Sequence, residues 1–191
     1  MKHASWFTTC FLLLFFLISC ASSKIHEKSS PLTADVAHSG NSSLVELPNP
    51  TEAVDFSLEN INGELVSLSD YRGKVVLLSF WATWCHSCKS EMDFLVKLRQ
   101  QYHAQGFEVL SINVEAADMK GAAISIARSK KVIFPILFDV DGNVSSHYNP
   151  DLQLPYSVII DRQGLERFIL KGFVPTEEQH ITSTIEKLLG K

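Results

Sequence analysis

The spacing of apolar and polar residues changes repeatedly between two periods from about residue 51 onward. A spacing of two predicts strands, and a spacing of three or four predicts helices. The predicted strands are 54–58, 65–68, 74–80, 107–114, 134–138, 154–160 and 165–171. The predicted helices are 87–103, 119–131, 144–148 and 176–189. Strands that alternate with helices after an initial hairpin predict an α/β domain with a mixed central sheet and helices on both faces.

The amino terminus follows neither period and has the features of a targeting segment. Lys2 and His3 precede an apolar stretch over residues 6–18, which is too short to span a bilayer and is typical of a signal peptide over residues 1–19. The stretch ends in Leu-Ile-Ser before Cys20, which resembles the bacterial lipobox. In that motif the cysteine is lipidated and becomes the first residue. An ordinary signal peptide with an incidental cysteine is the alternative.

Residues 20–50 are polar and rich in serine, with prolines and a glycine between them. Such a segment cannot bury enough apolar surface to offset its ordering entropy. We expect a lipidated flexible tether with a reach on the order of 30 Å, followed by one domain over residues 51–191. This organisation predicts an extracytoplasmic protein, lipid-anchored on the periplasmic side of a bacterial cell-envelope membrane.

Composition and charge narrow the class of function. The 191 residues are 46% hydrophobic and 20% charged, so one domain with a sizeable core is possible. The net charge is −4 and no stretch clusters lysine or arginine. These properties exclude nucleic-acid binding.

The four cysteines divide by position. Cys10 lies in the predicted signal peptide and Cys20 in the lipobox, so Cys85 and Cys88 remain as thiols. A single pair is not a disulfide framework for a domain of this size. The pair lies where an apolar strand gives way to an amphipathic helix, which is typical of a dithiol redox centre. Beyond this dithiol no cofactor and no metal is expected.

Three stretches resemble the thioredoxin superfamily: residues 80–88, Leu154-Pro155-Tyr156 and residues 158–164. The leading hairpin, the helix after the 107–114 strand and the lipobox narrow this resemblance to the TlpA/ResA-like thiol–disulfide oxidoreductases. It implies a thioredoxin-like three-layer fold with an N-terminal β-hairpin and a helical insertion. It also implies an enzyme that reduces protein disulfides, for example in cytochrome c maturation.

The chemistry of the motif follows from its place at a helix start. A thiolate is the nucleophile in disulfide exchange, and a helix N-terminus favours an anion. Cys85 is therefore predicted to attack the substrate, and Cys88, one turn further, to resolve the mixed disulfide. His86 is a candidate donor to the thiolate or else a solvated side chain. Ser87 stands where the family carries proline, and both residues are expected to make the centre more oxidising.

The remaining site residues come from the resemblance. Pro155 is implied to be cis and to face the dithiol, which leaves the backbone of Leu154 to pair with substrate; an edge-strand proline is the alternative. Trp84 is expected to contact substrate. Ser79 stands where thioredoxins carry a buried acid. Glu115 is therefore the candidate proton acceptor for the resolving thiol, with a solvated loop acid as the alternative.

The expected partners are cysteine-containing extracytoplasmic proteins and a membrane thiol–disulfide electron donor. Other functions stay open. An oxidase or isomerase would use the same scaffold, and a copper-binding chaperone would use the two cysteines and a histidine. Copper chaperones on this fold space their cysteines one residue wider, which disfavours the copper chaperone. A peroxiredoxin would share the hairpin and the strand order, but its Thr-x-x-Cys context is missing, which disfavours that function as well.

Overall fold

A computed structural model describes residues 43–191, so the predicted signal peptide and Cys20 lie outside the described residues. The strands are β1 (Leu44–Glu46), β2 (Ser57–Asn60), β3 (Leu65–Ser67), β4 (Val75–Trp81), β5 (Phe107–Asn113), β6 (Ile136–Phe138), β7 (Tyr156–Ile160) and β8 (Glu166–Lys171). The helices are α1 (His86–Tyr102), α2 (Lys120–Ser129), α3 (Asn143–Tyr148) and α4 (Glu178–Leu189). All eight strands form one sheet in the order β1-β8-β7-β4-β5-β6-β2-β3.

The sheet is mixed, as predicted. β4 pairs in parallel with β5, and β5 with β6, whereas the other neighbours are antiparallel. Every residue of β4 and β5 is buried. Continuous burial requires cover on both faces of a sheet, and both strands are mostly apolar for that reason.

Alternate side chains of β4 pack into two cores, one on each face of the sheet. Leu77 and Trp81 join the core that includes buried residues of α1, α2 and α4. Leu78 and Phe80 join the core that includes Tyr148 of α3 and side chains of the β2–β3 hairpin. The predicted α/β class with helices on both faces is confirmed, with three of the four helices sharing one core.

The predicted tether is wrong over its last residues. β1 falls inside residues 20–50, pairs with β8 and buries Leu44 in the core. A run of three residues is too short to show a period, and it becomes a strand because it pairs along β8. Within the described residues, folded structure therefore includes residues 44–46, which precede the predicted domain start at residue 51.

The other predicted elements are present with moved ends. β7 begins at Tyr156 because Pro155 cannot donate to the ladder. A 3-10 turn over Pro175–Glu177 precedes α4, whose predicted start was residue 176. Within residues 43–191, no helix has the length and apolar composition needed to cross a bilayer.

Candidate active site

Cys85 and Cys88 form a disulfide at the start of α1, with their Cα atoms 5.3 Å apart. Cys85 is the N-cap of the helix, and its sulfur accepts a hydrogen bond from the Cys88 N–H at 3.2 Å. Cys85 is 5% exposed and Cys88 1%, so Cys85 is less open than a helix-start position suggested. Cys85 is nevertheless the more exposed residue of the two, and the helix N-terminus stabilises negative charge there.

The two residues between the cysteines differ in their contacts. The Ser87 hydroxyl lies 3.6 Å from the sulfur of Cys85. His86 is exposed, and its side chain has no hydrogen bond or ion pair to any other described residue. The geometry therefore favours Ser87 as the side chain that interacts with a Cys85 thiolate.

Glu115 holds the loop that precedes the dithiol. Its carboxylate accepts hydrogen bonds from the Thr83 N–H at 2.6 Å and the Thr83 hydroxyl at 2.8 Å. It also accepts one from the Asn113 amide at 3.0 Å. These partners lie on the loop and at the end of β5, so the contacts support a positioning role and not the predicted proton acceptance.

Replacing Glu115 by alanine is expected to lower the free energy of unfolding by about 1–3 kcal/mol, because the part-buried Thr83 N–H loses its acceptor. Chemical denaturation measures the change. Asp118→Ala removes the same charge from an exposed residue and should change stability little. An equal effect of the two substitutions would contradict the positioning role.

The structure places a buried acid on α1, a residue that the sequence patterns did not single out. Glu91 is 1% exposed and lies one turn after Cys88. It accepts hydrogen bonds from the Ser157 hydroxyl at 2.8 Å and the Ser79 hydroxyl at 3.2 Å. Burial raises the pKa of the Glu91 carboxyl to about 7, against the lowering effect of the two hydroxyls. A carboxyl of that pKa can both take and release a proton near neutral pH.

Glu91 explains the serine found on β4. Ser79 and Ser157 are directly paired across β4 and β7, and together they hold the carboxylate of Glu91. Where the resemblance implied an acid on the strand, Ser79 instead donates to an acid on the helix. The sequence does carry a signal for Glu91: a charged residue three positions after Cys88 lies on the same face of the helix as that cysteine.

The loop before β7 lies at the same end of the sheet. The Leu154–Pro155 peptide bond is cis, as the resemblance implied. Tyr156 pairs with Phe80 near the end of β4, which places the loop beside the strand that leads to Cys85. Leu154 packs against the core that contains both cysteines.

Exposed apolar side chains extend from three neighbouring strands at this end. Trp84 follows β4 and is 67% exposed, Leu152 precedes β7 and is 62% exposed, and Val174 follows β8 and is 49% exposed. We call these three residues the apolar rim. The φ of Leu152 is 49°, an uncommon value for leucine. The buried Asn149 side chain holds this loop by bonding both the N–H and the C=O of Gln153.

Comparison with known proteins fits this geometry. Residues 50–168 match the AhpC/TSA family. The chain belongs to this family. Thiol-disulfide oxidoreductase ResA of Geobacillus kaustophilus is 38% identical over 133 residues, which cover 69% of this chain and 75% of that protein. Thioredoxin-like protein YneN of Bacillus subtilis is 37% identical over 128 residues, covering 66% of this chain and 74% of that protein.

A solved structure supports the same assignment. A protein from Chlorobium tepidum, described as a thiol:disulfide interchange protein DsbE, superposes with a TM-score of 0.70 at 32% identity. The match covers 75% of this chain and 99% of that chain. The predicted thioredoxin-like fold and the ResA-like place in the thioredoxin superfamily are confirmed.

Proposed function

We propose that this protein reduces protein disulfides through the Cys85–Cys88 dithiol. The enzyme class, thiol–disulfide oxidoreductase, is confirmed by relatives of that name. The reductive direction and the residue roles are the proposal. The observation that carries them is the dithiol at the N-terminus of α1 with the buried Glu91 one turn behind it.

The reaction has two exchange steps. The Cys85 thiolate attacks a substrate disulfide, which breaks the substrate S–S bond, forms a mixed disulfide and releases one substrate thiolate. Cys88 then gives its proton to Glu91 and attacks the sulfur of Cys85. This second step forms the Cys85–Cys88 disulfide and releases the other substrate thiolate. Two electrons pass to the substrate, and Ser87 is positioned to donate to Cys85 whenever that residue is a thiolate.

An electron donor must reduce the disulfide again after each cycle. We assign that role to a membrane thiol–disulfide protein, because the lipobox at Cys20 would keep the enzyme at a bacterial envelope membrane. Cysteine-containing extracytoplasmic proteins are the substrates in this scheme. The name ResA among the relatives supports cytochrome c maturation as the process served.

The apolar rim is proposed to receive apolar side chains of the substrate, beside the backbone of Leu154. Replacing Leu152 by serine is expected to raise KM for a protein disulfide about tenfold, since one exposed apolar contact of about 1–2 kcal/mol is lost. Kinetics with insulin should show the change, and kinetics with a small dialkyl disulfide should not. Leu65 is 71% exposed on the far edge strand β3, so Leu65→Ser is the matched control. A KM that rises equally for both disulfides would contradict this role.

Ser87 favours a second candidate function, a dithiol oxidase or isomerase. Its hydroxyl stabilises the thiolate of Cys85, and stabilising the reduced form makes a dithiol more oxidising. A copper chaperone has less support, because no three His, Cys, Asp or Glu side chains in residues 43–191 converge on one point. Tight Cu(I) binding without disulfide exchange would revive that hypothesis.

Insulin reduction in the presence of dithiothreitol tests the proposed function. The purified protein is expected to accelerate precipitation of the insulin B chain and to consume hydrogen peroxide no faster than its free thiols do. Rapid peroxide consumption without insulin reduction would replace the proposal with a peroxidase.

A further inference from the structure

Strand β1 determines where the N-terminal segment joins the domain. The Ser43 C=O accepts a hydrogen bond from the Lys171 N–H, and the Leu47 N–H donates to the Arg167 C=O. Further along, the Thr51 C=O accepts from the Glu166 N–H. Residues 43–51 therefore follow β8 along its whole length, from its last residue to its first.

Ser43 lies at the dithiol end of the sheet. Lys171 pairs with Tyr156, and Tyr156 pairs with Phe80, so these residues form one row across β8, β7 and β4. With strands about 4.8 Å apart, Ser43 is roughly 15 Å from Phe80. Trp81 follows Phe80 and leads directly into the dithiol motif.

The other end of β8 is the end remote from the dithiol. Ile160 pairs there with both Glu166 and Val76, the latter near the start of β4. A chain that joined the domain at Thr51 would enter at this end, about 17 Å from the entry at Ser43. The end of α4 is remote from the dithiol as well, since the Arg162 guanidinium donates to both the Gln105 and the Leu189 C=O.

Contacts of three successive residues, Ser43 to Val45, fix β1 in this position. The Ser43 N–H donates to Glu177 Oε1 at 2.7 Å, and the Ser43 hydroxyl donates to the other oxygen of the same carboxylate. Leu44 is 7% exposed and belongs to the core that contains the dithiol. Val45 pairs with Ile169, and the alternation of an antiparallel ladder directs its N–H toward β8.

We propose that β1 orients the enzyme on the membrane: it brings the anchored segment to the dithiol end, so that Cys85 faces the bilayer. This inference rests on the proposed lipid anchor at Cys20. The partner it implies is a membrane thiol–disulfide protein whose cysteines lie close to the bilayer surface, and not one that projects far from it.

The N-terminal segment is short enough for its point of attachment to affect the orientation of the domain. If the proposed tether joins Cys20 to Ser43, its 23 residues would have a root-mean-square reach of roughly 27 Å. Helix α1, with 17 residues, spans about 25 Å from the dithiol to the far end. Because the reach of the segment is similar to the length of the domain, the end that carries the anchor spends more time near the membrane.

Energy transfer from tryptophan to dansyl-labelled lipids tests the orientation. Beyond residue 19 the only tryptophans are Trp81 and Trp84, both at the dithiol end. Two versions of residues 20–191 carry Cys20→Ser and bind nickel-chelating vesicles through a hexahistidine tag. One has the tag before residue 20, and the other has it after a flexible extension of 23 residues, matched to the natural segment, that follows Lys191. We expect transfer at least about twofold higher in the first version.

A variant with β1 released supplies the second measurement. Val45→Pro with Glu177→Ala, tagged before residue 20, should lose the excess transfer, and Glu178→Ala should keep it. Loss of hydrogen-exchange protection at the Lys171 N–H verifies the release. Equal transfer from the two tagged ends, or higher transfer from the C-terminal tag, would overturn the inference. Insulin reduction in solution should be the same for both tagged versions. If neither version reduced insulin, that result would count against the proposed function and not against the orientation.

Discussion

Replacing Cys85 by serine is expected to reduce insulin reduction to the uncatalysed rate, a loss of at least about a thousandfold. Cys85 supplies the nucleophile of the first exchange step, and a serine hydroxyl does not attack a disulfide at neutral pH. Insulin turbidity in the presence of dithiothreitol measures the loss. Ser90→Ala, an exposed change within the same helix, is the control and should retain full activity.

Replacing Cys88 by serine should give a different defect. The first step still occurs, but the mixed disulfide between Cys85 and the substrate is no longer resolved. Non-reducing electrophoresis and mass spectrometry should show substrate proteins covalently attached at Cys85. Equal residual turnover in the two serine variants, with no trapped substrate in either, would contradict the assigned order of attack.

Replacing Glu91 by glutamine is expected to slow resolution of the mixed disulfide by about a hundredfold, the typical contribution of a positioned proton acceptor. The wild-type rate of this step should rise with pH around 7, where the carboxyl loses its proton. The variant should lose that inflection and keep its rate of mixed-disulfide formation. Single-turnover kinetics from pH 5 to 9 separate the two steps. If the variant kept the inflection in its resolution rate near pH 7, a group other than Glu91 would be the one that titrates.

Glu91→Gln should slow the reaction, but it should raise the free energy of unfolding above pH 7. The pKa of Glu91 is about 7 in the folded protein and near 4.5 without burial, so the folded state holds its proton more tightly. The free energy of unfolding is therefore highest, as far as Glu91 is concerned, below pH 4.5. It falls by about 3 kcal/mol in total as the pH rises through 7 and the carboxyl ionises. Glu91→Gln should be more stable than wild type at pH 8 and similar to it at pH 4.

Denaturation of the oxidised protein between pH 4 and pH 8 measures this difference. Glu64→Gln, an exposed carboxyl on the hairpin side, is the control and should follow the wild-type curve. If wild type and Glu91→Gln differed by the same amount at every pH, the buried carboxyl would not be the titrating group.

Local sequence patterns were sufficient to predict most of the fold. β4 and β7 are apolar runs that only Ser79 and Ser157 interrupt. Cys85 precedes an amphipathic segment, which predicts that α1 starts there. The cis bond at Pro155 followed from resemblance in the surrounding residues. In each of these cases the information lies within ten residues of the chain.

Features that depend on distant pairing could not be read in this way. β1 becomes a strand only because it pairs with β8, more than a hundred residues later. Glu91 is distinguished from any other helix glutamate by Ser79 and Ser157, which lie on two different strands. Glu115 was selected for its position at a strand end, but position alone did not reveal that Thr83 uses its carboxylate.

The central claim is that Cys85 and Cys88 form a reversible couple that runs in the reductive direction. Its most direct test is a redox titration of the purified protein in dithiothreitol or glutathione buffers, with alkylation and mass spectrometry to count free thiols. We expect a single two-electron transition at Cys85 and Cys88 with a potential below about −180 mV, the value of protein disulfide isomerase. A potential near −120 mV, typical of a strong dithiol oxidant, would contradict the reductive assignment, and the absence of any reversible transition would contradict the site itself.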